Sequence, residues 1–158
     1  MATRGEAPTP GFLVWRLSMK WRTAVDRSVA ELGLTHAQYS LLTALHGMQR
    51  AGLEPSQRQL ADQTGLEPIY VSKLVQALHH RGLLERKSDP NDARAVQLTL
   101  TRRGRDIAER AIAIVLELQQ QLTAPIGGVR STRTRAFVRE LEALLAAPTA
   151  RATKGATG

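Results

Sequence analysis

The hydrophobic positions change period once between residues 71 and 100, and that change organises the chain. Val71, Leu74, Val75 and Leu78 recur at i, i+3, i+4 and i+7, the stripe of a helix buried along one side. Val96, Leu98 and Leu100 then alternate with Gln97 and Thr99, the period of a half-buried strand. Upstream, Ser56 and Gln59 form a capping box that opens a short helix, with Leu60 and Ala61 turned inward. Gly65 supplies the turn that follows. Pro68 stands at the first position of the next helix, and Gly82 closes it. Asp89-Pro90-Asn91-Asp92 divides Leu83 to Leu100 into two strands. The pattern predicts a helix–turn–helix running directly into a β-hairpin over residues 56–101.

The flanks read as helices. Phe12 to Leu32 predicts one long helix ended by Gly33. Its apolar residues fall on two stripes (Leu13, Leu17, Ala24 and Val14, Val25, Val29, Leu32), so burial on two sides is expected. Thr35 caps a second helix carrying Tyr39, Leu41, Leu42, Leu45 and Met48, which Gly52 helps to close. Thr101 caps a long helix in which Ile107, Ala111, Ile114, Val115, Leu118 and Leu122 keep the helical period, until Pro125, Gly127 and Gly128 break it. Ser131 to Ala146 is a last amphipathic helix with Phe137, Leu141, Leu144 and Leu145. Residues 1–10 and 148–158, rich in Thr, Ala, Pro and Gly, are expected to be flexible. The fold class is therefore mainly α with a small β-hairpin wing. A lobe over residues 53–101 is flanked by helical segments 11–52 and 102–147.

Composition narrows the class. A chain of 158 residues is long enough for one domain with a real core, which aliphatic side chains must fill because aromatics make up only 4%. No run of 18 apolar residues occurs, and the first residues lack a signal-peptide core, so a soluble cytoplasmic protein without a membrane role is expected. The absence of cysteine excludes disulfides and thiolate metal sites. A net charge of +8 suggests a polyanionic partner. Yet within residues 53–101 the six basic and six acidic groups cancel. Placement therefore matters more than bulk charge.

Placement points to DNA. The face of the second short helix opposite its apolar stripe carries Ile69, Ser72, Lys73, Gln76 and His80, with Tyr70 on its flank. Gln76 can bridge adenine N6 and N7, Lys73 can donate to guanine or phosphate, and Ile69 can meet a thymine methyl. Ser72 and Tyr70 suit phosphate. An ordinary solvated helix face gains nothing from Ile69 and Tyr70, so a partner surface is the better reading. At the hairpin tip, Arg94 suits a narrow minor groove, and Asp89 or Asp92 can hold its side chain extended. An isolated loop of this kind reads as a weak surface ion pair; following a helix–turn–helix, it reads as a DNA contact. Arg58, Pro68, Lys87 and Asn91 complete the expected DNA-facing set. No nucleophilic cysteine, zinc-binding helix motif, phosphate loop or carboxylate pair points to an enzyme, a cofactor or a metal. Neighbours His79 and His80 diverge by about 100° and cannot share one ion from one helix side.

These residues resemble the MarR family of winged-helix regulators (multiple-antibiotic-resistance regulators) over roughly residues 11–146, most strongly from Leu66 to Gly104. The family's R-G-L-[LIV]-x-R segment is matched by Arg81, Gly82, Leu83, Leu84 and Arg86. Its acidic and basic wing is matched by Asp89, Asp92 and Arg94, and its L-T-x-x-G by Leu100, Thr101 and Gly104. Asn91 stands where a first wing arginine often occurs, which leaves one tip arginine. The resemblance implies a homodimer joined through the first and the two last helices, with Phe12, Leu13, Leu17, Leu118, Phe137, Leu141 and Leu145 as its core. Such a dimer requires a pseudo-palindromic operator on double-stranded DNA. The resemblance also implies a small aromatic or anionic effector held near Trp15, Met19, Trp21, Arg22, His36 and Tyr39, although core packing is the commoner use of such aromatics. The function expected is a transcriptional regulator, a repressor released by its effector. The alternative is an effector-independent or architectural DNA-binding protein.

Overall fold

A computed structural model describes residues 7–148 of the chain. Helix α1 (Pro10–Val29) continues through a 3-10 turn, Ala30–Leu32, and is followed by α2 (His36–Arg50), α3 (Gln57–Thr64) and α4 (Pro68–His80). Strands β1 (Leu84–Asp89) and β2 (Asp92–Leu100) form an antiparallel hairpin. Helix α5 (Arg102–Thr123) passes into a second 3-10 turn, Ala124–Ile126, and α6 (Thr132–Ala146) ends the described chain. The chain divides after Leu118 into two compact units. No described helix is long and apolar enough to cross a membrane.

Local signals place the helix ends. Thr35 and Ser56 each accept a bond from the amide three residues on, at 3.2 Å, while Gln38 and Gln59 reach back to the cap amides at 3.1 and 2.8 Å. Helix α1 starts at Pro10 rather than Phe12. Thr9 Oγ1 accepts from the Phe12 amide at 3.3 Å, and proline fits the first turn, where no amide donor is needed. Pro10, assigned from the sequence to a flexible end, therefore belongs to the helix. Residues 1–6 and 149–158 lie outside the described chain. Helices α1 and α4 end alike: the amides of Leu34 and Leu83 bond back to Val29 and Leu78 at 3.3 and 3.0 Å, and both leucines are buried.

One core runs through the first unit. Val25 and Val29 of α1 join Leu41, Leu42 and Leu45 of α2, Leu60 of α3, Val71, Val75 and Leu78 of α4, Leu98 of β2, and Ala108 and Ala111 of α5. The two-sided burial expected for α1 is not found within one chain. Val25, Val29 and Leu32 are buried, whereas Leu13 and Val14 are about half exposed. Among the described residues of its unit, no element covers the N-terminal half of this helix.

In the second unit, Ser131 caps α6 through a 3.0 Å bond from the Thr134 amide. Its hydroxyl donates to the Ile126 carbonyl at 2.7 Å, and that of Thr134 donates to Gly128 at 2.7 Å. These bonds tie the start of α6 to the turn preceding it.

Candidate nucleic-acid interface

Helix α4 has two chemically distinct sides. Val71, Leu74, Val75 and Leu78 are buried, while Ile69, Tyr70, Ser72, Lys73, Gln76 and His80 are exposed. Ile69 is 75% exposed at the first turn. Arg58 of α3 lies beside Pro68 in a groove also lined by Gln57 and Asp62. The polar side chains of α3 and the N-terminal turn of α4 thus meet at one shallow cleft. His79 is turned away, its Nδ1 3.1 Å from the Leu84 carbonyl at the base of the hairpin.

The hairpin is anchored at its base and free at its tip. Leu84 pairs with Leu100 and Arg86 with Leu98, and both leucines of β2 are buried. Beyond the hairpin pairing, the Leu98 amide donates to the Pro55 carbonyl at 3.0 Å, and Ser56 bridges to Gln97. The wing is thereby fastened to the entrance of α3. Lys87, Asn91 and Arg94 are exposed towards the tip.

The two wing aspartates act differently from expectation. Neither lies within ion-pair distance of Arg94 among the described residues. Instead, Asp89 Oδ1 accepts from the Asn91 amide at 2.8 Å, and Asp92 Oδ1 accepts from the Arg94 amide at 2.9 Å. An aspartate two residues before an amide satisfies it locally more readily than it orders a long, solvated guanidinium. The carboxylates brace the backbone of the tip and leave the Arg94 side chain unpaired.

The R-G-L and L-T-x-x-G residues form one junction. Thr101 Oγ1 accepts from the Gly104 amide at 3.0 Å and donates to the Gly82 carbonyl at 2.7 Å. The Thr101 amide reaches the Leu83 carbonyl at 3.1 Å. A Cβ on Gly104 would lie 1.8 Å from the Leu83 carbonyl oxygen, so only glycine lets α5 approach the exit of α4 this closely.

The residues expected around an effector form two groups, one on α1 and one at the start of α2. Trp15, Met19 and Arg22 are exposed along α1. His36 and Tyr39 are half-buried at the start of α2, with rings 6.4 Å apart. Asp26 links the groups, accepting from the His36 amide at 2.5 Å and lying 4.0 Å from Arg22. Burial lowers the His36 imidazole below its ordinary pKa, with Asp26 opposing and Arg22 adding to the effect. Burial likewise raises the Tyr39 phenol. An open face of α1 carries Arg16, Met19, Lys20, Thr23, Ala24 and Arg27. Of these, only Met19 was singled out as an effector contact from the sequence, although helical spacing alone places Arg16, Lys20 and Arg27 on neighbouring positions of one face.

Of the expected dimer contacts, Phe12 and Leu13 on α1 and Phe137 and Leu145 on α6 are exposed, Leu145 by 87%. Leu17 and Leu141 are half-buried, and Leu118 packs partly against the core of the first unit.

Comparison with known proteins agrees with this architecture. Residues 32–95 match the model of the MarR family. The uncharacterized HTH-type transcriptional regulator YdcH of Bacillus subtilis is 35% identical over 120 residues, 76% of this chain and 82% of the relative. The HTH-type transcriptional repressor Rv2887 of Mycobacterium tuberculosis is 31% identical over 148 residues, 91% and 98% of the two chains. The PcaV transcriptional regulator of Streptomyces coelicolor, solved in complex with its natural ligand, superposes with a TM-score of 0.74. It is 29% identical, with 92% of this chain and 97% of that one covered. The exposed face of α4, the anchored wing and these relatives lead to one conclusion: the chain belongs to the MarR family and is a DNA-binding transcriptional regulator, not an enzyme.

Proposed function

We propose that the protein is a repressor that binds a pseudo-palindromic operator as a homodimer and is released by a small aromatic or anionic effector. The observation that carries the DNA part is the exposed face of α4, where Ile69 stands in solvent beside Lys73 and Gln76. Gln76, Lys73 and Ile69 read base edges in the major groove, while Ser72 and Tyr70 meet phosphate. Arg94, unpaired at the wing tip, enters the minor groove. Arg58, Pro68, Lys87 and Asn91 line the edges of the same surface. The repressor role is supported by Rv2887, which is named as one.

The homodimer reading rests on Phe12, Leu13, Phe137 and Leu145, large apolar groups exposed on a single chain. Two copies place two recognition helices about one DNA turn apart. Hydroxyl-radical footprinting on duplexes selected from a random pool tests this directly. Two protected half-sites in inverted repeat, about 10 base pairs apart centre to centre, are expected. A single protected site, or uniform protection, overturns it. The second of those outcomes would mark an architectural binder, with nearly equal affinity for random DNA and a steep salt dependence.

The effector reading is supported by an open face of α1, which combines Met19 with the cations of Arg16, Lys20 and Arg27, and by the ligand complex of PcaV. A thermal-shift screen of aromatic carboxylates and phenols should find a compound that both raises Tm and weakens operator binding. A compound that stabilises the protein and leaves DNA affinity unchanged contradicts the regulatory role.

A further inference from the structure

The geometry points to Arg81 as a positioning residue that locks the end of α4 to the end of α1 and so sets the spacing between the two recognition helices of a dimer. Arg81 is the residue at the C-cap of α4. Its guanidinium donates to the Gly33 carbonyl at 2.6 Å and to the Leu32 carbonyl at 3.1 Å. These carbonyls close the 3-10 turn that continues α1. The last carbonyls of a helix lack partners within it and carry partial negative charge. A planar fork satisfies two of them at once, which a lysine ammonium does less well.

A second observation shows that the seat is shaped for this group. Gly33 has a φ of 68°, and a Cβ there would lie 2.9 Å from Arg81 Nη2. Residue 33 is glycine for its backbone angle, and its bare Cα face is where the guanidinium rests. The junction is gripped from the other side too. Arg103 Nη1 reaches the Arg81 carbonyl at 3.4 Å, and Thr101 holds the Gly82 carbonyl. Arg81 also counts towards the basic residues of the DNA-binding lobe, yet its charge is engaged with protein carbonyls rather than held out for phosphate.

The consequence follows from what the two helices carry. Helix α4 presents the DNA-reading face, and the N-terminal half of α1 presents Phe12 and Leu13 to a second copy. Arg81 is a direct polar link between them, 48 residues apart in sequence. The apolar stripe of α4 keeps the helix on the core without this link. Arg81 therefore governs how rigidly α4 is aimed rather than whether the chain folds. The inference rests on the proposed dimer with α4 as its reading helix.

The test measures spacing tolerance by fluorescence anisotropy on three duplexes: the selected operator and versions with one base pair inserted or removed between half-sites. One base pair rotates a half-site by about 35°. For the wild type, each change should weaken binding roughly tenfold, and for Arg81→Ala only about twofold, since a rigid pair of readers becomes a compliant one. Arg81→Lys, which keeps the charge, should fall between them. The account is overturned if the spacing penalty is unchanged in Arg81→Ala and Arg81→Lys. It is also overturned if Arg81→Ala weakens every duplex equally and lowers the salt slope by about one, the mark of a phosphate contact. Failure of the underlying reading looks different: Gln76→Ala would then leave operator affinity unchanged in the wild-type background.

Discussion

The stripe on α4 and the N-terminal half of α1 are both built from large apolar residues, but they end differently. In the first, each leucine and valine of the stripe on α4 finds a partner within the chain. In the second, Phe12, Leu13, Val14 and Trp15 stay exposed. The contrast teaches that a hydrophobic pattern specifies a face but not who covers it. Residues 56–104 are held by short-range caps, a hairpin and one tight junction, over a core they share with α1 and α2. In the proposed dimer, a second copy completes the packing of helix α1.

The sharpest way to break the region packed within one chain is at Gly104. A Cβ 1.8 Å from the Leu83 oxygen has no flexible side chain to displace, so α5 must move off the exit of α4. Gly104→Ala should cost about 3 kcal/mol or more and lower Tm by roughly 10 °C in a thermal melt. A melt matching that of the wild type would show that the junction is looser than described.

The incomplete region should break differently. Leu13→Asp and Leu145→Asp place charges on exposed positions, where a lone chain would tolerate them within about 0.5 kcal/mol. In a dimer the same changes bury a carboxylate, at about 2 kcal/mol or more, and should shift sedimentation from dimer to monomer while helicity stays. Unchanged mass in both variants would mean that these faces are not the interface.

A smaller effect comes from His36. Its pKa is lowered in the folded chain mainly by burial, so the unfolded chain binds the proton more readily. Stability from this group is complete above its ordinary pKa near 6.5 and is lost as pH falls from there through the folded value. The wild type should therefore lose Tm more steeply with acidification than His36→Gln. Parallel profiles would remove His36 as the cause.

What was legible in the sequence follows the same division. The stripe on α4, the Ser56–Gln59 box and the alternation of Val96, Leu98 and Leu100 are short-range patterns, each carrying its own physics. The Thr9-Pro10 start of α1 was equally readable, because a capping hydroxyl before a proline is a helix signal. The roles of Asp89 and Asp92 were not. Composition admits both an ion pair and a backbone turn, and only the tip geometry decides between them. Arg81 on the carbonyls of Leu32 and Gly33 was beyond reach, since no periodicity links residues so far apart. The bond from Leu98 to Pro55 is of the same kind.

The central claim is that a few placed side chains, not bulk charge, make this lobe a DNA reader. The direct measurement is the ratio of operator to random-duplex affinity for wild type, Gln76→Ala and Arg94→Ala at fixed salt. Each substitution should cost about 1–3 kcal/mol on the operator and leave random-duplex binding much less affected in Gln76→Ala. Unchanged operator affinity in both variants would contradict the account.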